Sequence, residues 1–182
     1  MKIRLILITL VLMLMFGSSL VYLELSHYIE SPNAESKAVR LIIPRGYSVK
    51  KIAKELARYQ VIKYPRVFWT VHRIFFPDTY MQAGEYEIPP HSSVRDIIDM
   101  MHEGRVIVHK FMVPEGGLTK EVIDQIIDEP MLIGNVSREF KDGEFLADTY
   151  HYTYGETKMM LLNRIYQKSQ NIIDELWAKR EA

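Results

Sequence analysis

The 182-residue sequence contains no cysteine. A disulfide framework, a zinc–thiolate centre and a thiol nucleophile are therefore excluded. The compartment stays open, since exported proteins without disulfides are ordinary. There is no excess of charge either, because 23 Lys and Arg balance 23 Asp and Glu. That argues against a nucleic-acid binder relying on bulk positive charge, and no nucleic-acid partner is expected. Strong catalytic signatures are absent too. The six histidines (His27, His72, His91, His102, His109 and His151) form no H-E-x-x-H or other strong ligand spacing. No G-x-S-x-G, P-loop or dinucleotide fingerprint is present. No metal and no organic cofactor are expected. Gly116-Gly117 after Glu115 reads as a turn rather than a phosphate cradle.

The sequence does have a long apolar run at its start. Leu5 to Leu23 carries no charge, and about 19 helical residues span roughly 28 Å, close to the hydrocarbon core of a bilayer. Lys2 and Arg4 precede the run and Glu24 follows it, so the N-terminus should be cytoplasmic and the remainder exported. A cleaved signal peptide is the other reading, with Gly17-Ser18-Ser19 as its small residues. The lack of an A-x-A pattern and the continuation through Leu23 favour an uncleaved anchor. Both readings export the rest of the chain.

Residues 24–38 are polar, include Ser31-Pro32-Asn33, and read as a short linker. Arg40–Ile43 is β-prone and is closed by Pro44 and Gly46. Ser48 is a plausible N-cap, with Val49, Ile52, Ala53 and Leu56 on one face of a helix. A second helix should start near Pro65 and bury Val67, Val71, Ile74 and Phe75, ending at Pro77-Asp78. Ala83–Ile88 reads as a returning strand. Ser48-Val49 with Ile52 is echoed by Ser93-Val94 with Ile97, each serine four residues after a proline. A shared local solution explains this more simply than duplication. Ser93 with Asp96 fits a capping box, Val94, Ile97, Ile98 and Met101 form an apolar face, and Gly104 is a stop. Val106–Val113 suggests a further strand, and Thr119 opens a helix bearing Val122, Ile123, Ile126 and Ile127. Residues 129–155 read as loop. The last long helix carries Leu162, Ile165, Tyr166, Ile173 and Leu176 on one side.

Tyrosine is abundant, with eleven copies. Tyr150, Tyr152 and Tyr154 alternate, which on a strand places them on one face. Such a face suits the apolar side of a sugar ring, and equally suits a half-buried edge strand. Glycan cleavage needs carboxyl groups, one of them protonated toward the leaving oxygen. Glu115, Asp142, Glu144 and Asp148 lie in or near loops, and none is distinguished by residue type alone.

Several short blocks stand in order along the chain. The first is Ile43-Pro44-Arg45-Gly46-Tyr47-Ser48, followed by Ile52-Ala53-Lys54-Glu55-Leu56 and Val61-Ile62. Ala83-Gly84-Glu85-Tyr86-Glu87-Ile88 is similar to an A-G-x-Y block, extended by Ser93, Ile97-Ile98 and Glu103-Gly104. Val113-Pro114-Glu115-Gly116 with Thr119 is similar to a P-E-G-x-T block, one residue longer here. Gly143-Glu144-Phe145-Leu146-Ala147-Asp148-Thr149-Tyr150 is similar to E-G-x-L-x-P-D-T-Y, with Asp142 in place of Glu and Ala147 in place of Pro. Pro77-Asp78-Thr79-Tyr80 matches the last string by composition but lies before the A-G-x-Y block, and reads as a turn.

In this order the blocks resemble the MltG-type, YceG-like endolytic murein transglycosylases, and the resemblance implies an α+β chain: a transmembrane anchor (1–23), a linker (24–38), a LysM-like βααβ domain (39–104) and the start of a catalytic domain (105–182). It implies cleavage of peptidoglycan glycan strands to 1,6-anhydromuramyl ends from the inner membrane, near the cell-wall synthesis enzymes. The family's catalytic Glu belongs to an A-S-I-x-E-K-E-like block that no residue up to Ala182 matches, so no catalytic residue is assigned and the chain is expected to be inactive alone. Glu115, Asp142, Asp148 and Tyr150 are the expected substrate-binding residues. The alternative is a non-catalytic, membrane-anchored glycan-binding or scaffold protein.

Overall fold

The computed structural model describes residues 2–32 and 37–180. The fold is mixed α and β, in the order α1 (Lys2–Glu30), β1 (Val39–Ile43), α2 (Val49–Arg58), α3 (Pro65–Phe75), β2 (Gly84–Ile88), α4 (Val94–Glu103), β3 (Val108–Val113), α5 (Thr119–Asp128), β4 (Asp148–Thr153) and α6 (Lys158–Ala178). β1 pairs with β2, and β3 with β4. The chain divides into two compact units. One comprises residues up to Leu41, Gly46–Ala83 and Glu87–Arg105; the other comprises Ile42–Arg45, Gly84–Tyr86 and the chain from Val106 onward.

In the first unit, α1 is long and apolar enough to cross a membrane. It extends further than the sequence reading placed it. Residues 24–30, read as linker, continue the helix, because no Gly or Pro interrupts them before Pro32. Ile29 is only 2% exposed. The Glu30 carboxylate accepts from Arg95 Nε on α4 at 2.6 Å, and Pro32 forms an antiparallel bridge with Ser93. The expected linker thus begins in helix that packs on the unit's core, and its residues 33–36 lie outside the described residues.

Helix α2 buries Ile52, Ala53 and Leu56 as its spacing predicts. Helix α3 begins at Pro65 as expected, but its buried face is rotated. Phe68, Val71 and His72 point inward, while Ile74, expected inside, is 58% exposed. Both settings satisfy helical spacing, and burying the larger Phe68 ring removes more apolar area from water. The Pro77–Tyr80 string is a turn, in which Thr79 donates its N–H and its hydroxyl to Phe76 O at 3.1 and 2.7 Å.

The two echoed serines behave differently. Ser93 and Asp96 form the full reciprocal capping box on α4. Ser48 has extended backbone but no side-chain cap; the Lys51 N–H donates to Ser48 O at 2.8 Å, and the Lys51 ammonium cannot supply the reciprocal acceptor that Asp96 gives α4. Gly104 ends α4 at φ 68°, in the left-handed region.

In the second unit, β3 and β4 run antiparallel with Phe111 opposite Tyr150 and Val113 opposite Asp148. Strand β4 lies inside the stretch read as loop. Tyr150 and Tyr152 do share a face, but that face is the core, where both rings are buried beside Phe111, Val122, Ile126, Leu161, Leu162 and Ile165. The first half of α6 supplies this packing. Ile173 and Leu176, expected on the same buried side, are exposed.

Candidate functional site

Three of the four expected binding residues lie at one end of the β3–β4 pair, and the fourth joins them through the chain. The register sets Asp148 opposite Val113, the last residue of β3, so Glu115 in the following turn emerges at the same end. That turn leads into α5, whose first amide meets Asp142: Thr119 N–H donates to Asp142 Oδ1 at 3.3 Å, and the Thr119 hydroxyl donates to Lys141 O at 3.1 Å. Leu118, the residue at the cap position, has no side-chain acceptor. Asp142 therefore supplies from a distant loop the capping acceptor that the Leu118 side chain cannot, adding to Glu121 in the first turn. The loop is tightened by Lys141 N–H donating to Glu144 Oε2 at 3.0 Å.

Asp148 and Tyr150 are two apart on β4 and share a neighbour, Lys168 of α6. The ammonium pairs with Asp148 Oδ2 and lies 5.5 Å from the centre of the Tyr150 ring. The Asp148 carboxyl is held below the usual carboxylate range, first by its bond from Lys168 and second by the Thr149 amide. It is thus unsuited to donating a proton to a leaving oxygen. Tyr150 is 3% exposed and its hydroxyl donates to Leu146 O at 2.9 Å, so it positions the loop before β4 from inside. Burial, and then the Asp148 charge, push its phenol up to about 12. Glu115 is exposed in its turn.

Several groups were missed by sequence reasoning. Phe140, Phe145 and Tyr166 form a half-buried aromatic cluster, with Phe140 centred 5.1 Å from Phe145 and 6.1 Å from Tyr166. The Arg138 guanidinium lies over both Tyr166 and Phe140, at 4.2 and 4.8 Å. Two phenylalanines within the otherwise polar stretch 137–145 were the available signal. Glu156 is buried and pairs with Arg164, which also donates to His151 O, tying α6 to β4. Glu85 is buried too and meets His109 Nε2 at 2.6 Å, with that imidazole stacked on Tyr152. Strand alternation would have pointed Glu85 outward, opposite to Gly84 and Tyr86, so no sequence signal marked it. Among the described residues no three His, Asp or Glu side chains converge as metal ligands.

Arg138 over Phe140 and Tyr166 makes an aromatic and cationic surface, and Asp148 is ion-paired, which suits holding a polar, ring-shaped ligand rather than delivering a proton. Comparison with known proteins is in keeping with the motif order. No curated protein matches the chain. A crystal structure of a YceG-like protein from Listeria monocytogenes is similar at 19% identity and a TM-score of 0.44, over 78% of this chain and 56% of that one. The chain therefore spans little more than half the length of that relative. The model of the YceG-like family matches residues 41–182, and the chain belongs to that family.

Proposed function

We propose that this protein acts on peptidoglycan glycan strands outside the cytoplasm, within an endolytic lytic transglycosylase activity. Family membership over residues 41–182 is the observation that carries the reading. Helix α1 serves as a single-pass inner-membrane anchor. Lys2 and Arg4 ahead of its apolar run keep the N-terminus cytoplasmic. Residues 39–104 form a LysM-like glycan-holding module, and residues 105–182 contribute to the catalytic domain. Glycan strands, the inner membrane and cell-wall synthesis enzymes are its partners.

The reaction breaks the bond between the muramyl C1 and the bridging oxygen and joins C1 to the same sugar's 6-oxygen. A general acid protonates the leaving oxygen and, as its carboxylate, then takes the 6-hydroxyl proton, so no water is consumed. That acid is not assigned to Glu115, Asp142 or Asp148. Asp148 is kept ionised by Lys168, and Asp142 is occupied at the start of α5. These residues, with Tyr150, shape and charge that end of the β3–β4 pair. The same occupancy favours the second reading, an anchored glycan-binding protein without chemistry of its own. Co-sedimentation of the full chain in detergent with insoluble peptidoglycan tests the shared core of both. Retention that soluble glycan fragments compete away is expected. Recovery of all protein in the supernatant would contradict both.

A further inference from the structure

We infer that the outer face of α2 and α3 docks on the anionic headgroups of the membrane that α1 spans. The inference rests on the anchoring role given to α1. The first observation is continuity. The uncharged run of α1 ends at Leu23, with Glu24 the first acid, so the bilayer boundary falls there. Tyr22, at that boundary, packs on Phe75 at the end of α3, with ring centroids 5.5 Å apart. Ile29, about two turns on, is already in the unit's core. No spacer separates the anchor from the folded unit, and the end of α3 therefore sits at headgroup level.

The second observation is what α3 presents beside that contact. Ile74, adjacent to Phe75, is largely exposed. Toward the helix start, Trp69 is half-buried at the edge of an open groove of about 470 Å³ between α2 and α3, lined by Lys50, Lys54, Arg66 and Thr70. Lys50 Nζ stands 4.3 Å from the centre of the Trp69 ring, and the Arg73 guanidinium 5.9 Å. Among the described residues Lys50, Lys54, Arg66 and Arg73 have no acidic partner.

The third observation is charge. The two helices hold six Lys and Arg against one Glu, a net +5 on a chain whose formal net charge is zero. An indole at the water boundary, cations that bind phosphate oxygens and an exposed isoleucine beside the anchor match an anionic phospholipid surface. Docking there would hold the unit flat against the bilayer and limit its reach from the membrane.

The test uses the full chain with Trp177→Phe, which leaves Trp69 as sole indole reporter, reconstituted in bilayers whose acyl chains are brominated near the headgroups. With phosphatidylglycerol present, Trp69 fluorescence should be quenched roughly twofold more than in phosphatidylcholine alone, and salt should weaken the difference. Lys50→Glu with Arg66→Glu should abolish it, and Lys120→Glu, on α5 of the other unit, should leave it unchanged. Equal quenching in both bilayers would overturn the inference. So would a Trp69 response to soluble muramyl oligosaccharides without one to lipid, which would make the groove a saccharide site. An alkaline wash separates the two claims: a chain that stays in the bilayer but shows no lipid-dependent quenching contradicts docking alone, whereas a chain that washes off contradicts the anchor and docking together.

Discussion

Lys168 of α6 pairs with Asp148, the first residue of β4, and so fastens the middle of the long helix to the entrance of the strand. The folded-state carboxyl titrates below its unfolded value of about 3.9. The sign follows from proton counting. Above the unfolded value the pair stabilises the fold, and as pH falls through the lower folded value that contribution is lost. Carbon-detected NMR should place the Asp148 midpoint below the ordinary range, and Lys168→Met should raise it. An unchanged midpoint in the variant would assign the depression to the Thr149 amide instead.

Tyr150 reaches inward to Leu146 O. Tyr150→Phe keeps the buried ring and removes one hydrogen bond, so it should cost about 1 kcal/mol. Urea unfolding measures that. The variant should retain glycan co-sedimentation, whereas Tyr166→Ala, which removes the ring beneath Arg138, should weaken it severalfold.

Glu156 has its carboxylate in the protein interior with Arg164 as cationic partner. Arg164→Met leaves that charge without its partner and deprives His151 O of a donor. A loss of about 2 kcal/mol is expected. Glu156→Gln, which keeps an acceptor for the Thr153 amide at 3.4 Å, should cost less. Comparing the two variants by chemical denaturation checks the order.

His72 is buried on α3, with Thr79 Oγ1 3.2 Å from its Nε2. Burial lowers its folded pKa below the ordinary 6.5, against the smaller opposing pull of its Thr79 bond. Between the two values the unfolded chain binds the extra proton, so stability falls as pH drops below about 6.5 and levels off beneath the folded value. Thermal melts of the first unit in detergent should show that slope, and His72→Gln should flatten it.

The parts of the fold legible in the sequence are those whose signals are local. Ser93, Asp96 and Gly104 carry their own hydrogen bonds and backbone conformation, so α4 could be read from end to end. Where the deciding partner is remote, the reading failed. Strand β4 has no aliphatic residue, and its pairing partners lie 35 to 45 residues earlier, across α5 and a long loop. The choice between Phe68 and Ile74 as the buried residue of α3 depends on what packs above it. The continuation of α1 to Glu30 follows from Ile29 entering the core, which polarity along the segment concealed. At the candidate site, sequence order picked out Asp142, Asp148 and Tyr150, but not their roles. Those roles depend on Thr119, Lys168 and Leu146, which only the fold brings to them.

The central claim is that this chain engages peptidoglycan glycan strands as a YceG-like protein, without a proton-donating acid among Glu115, Asp142 and Asp148. Mass spectrometry of purified strands incubated with the full chain in detergent tests it most directly, with bound glycan recovered from the same tube. Bound strands without new 1,6-anhydromuramyl ends are the predicted result. Anhydro ends that vanish on changing any of those three acids to its amide would contradict it.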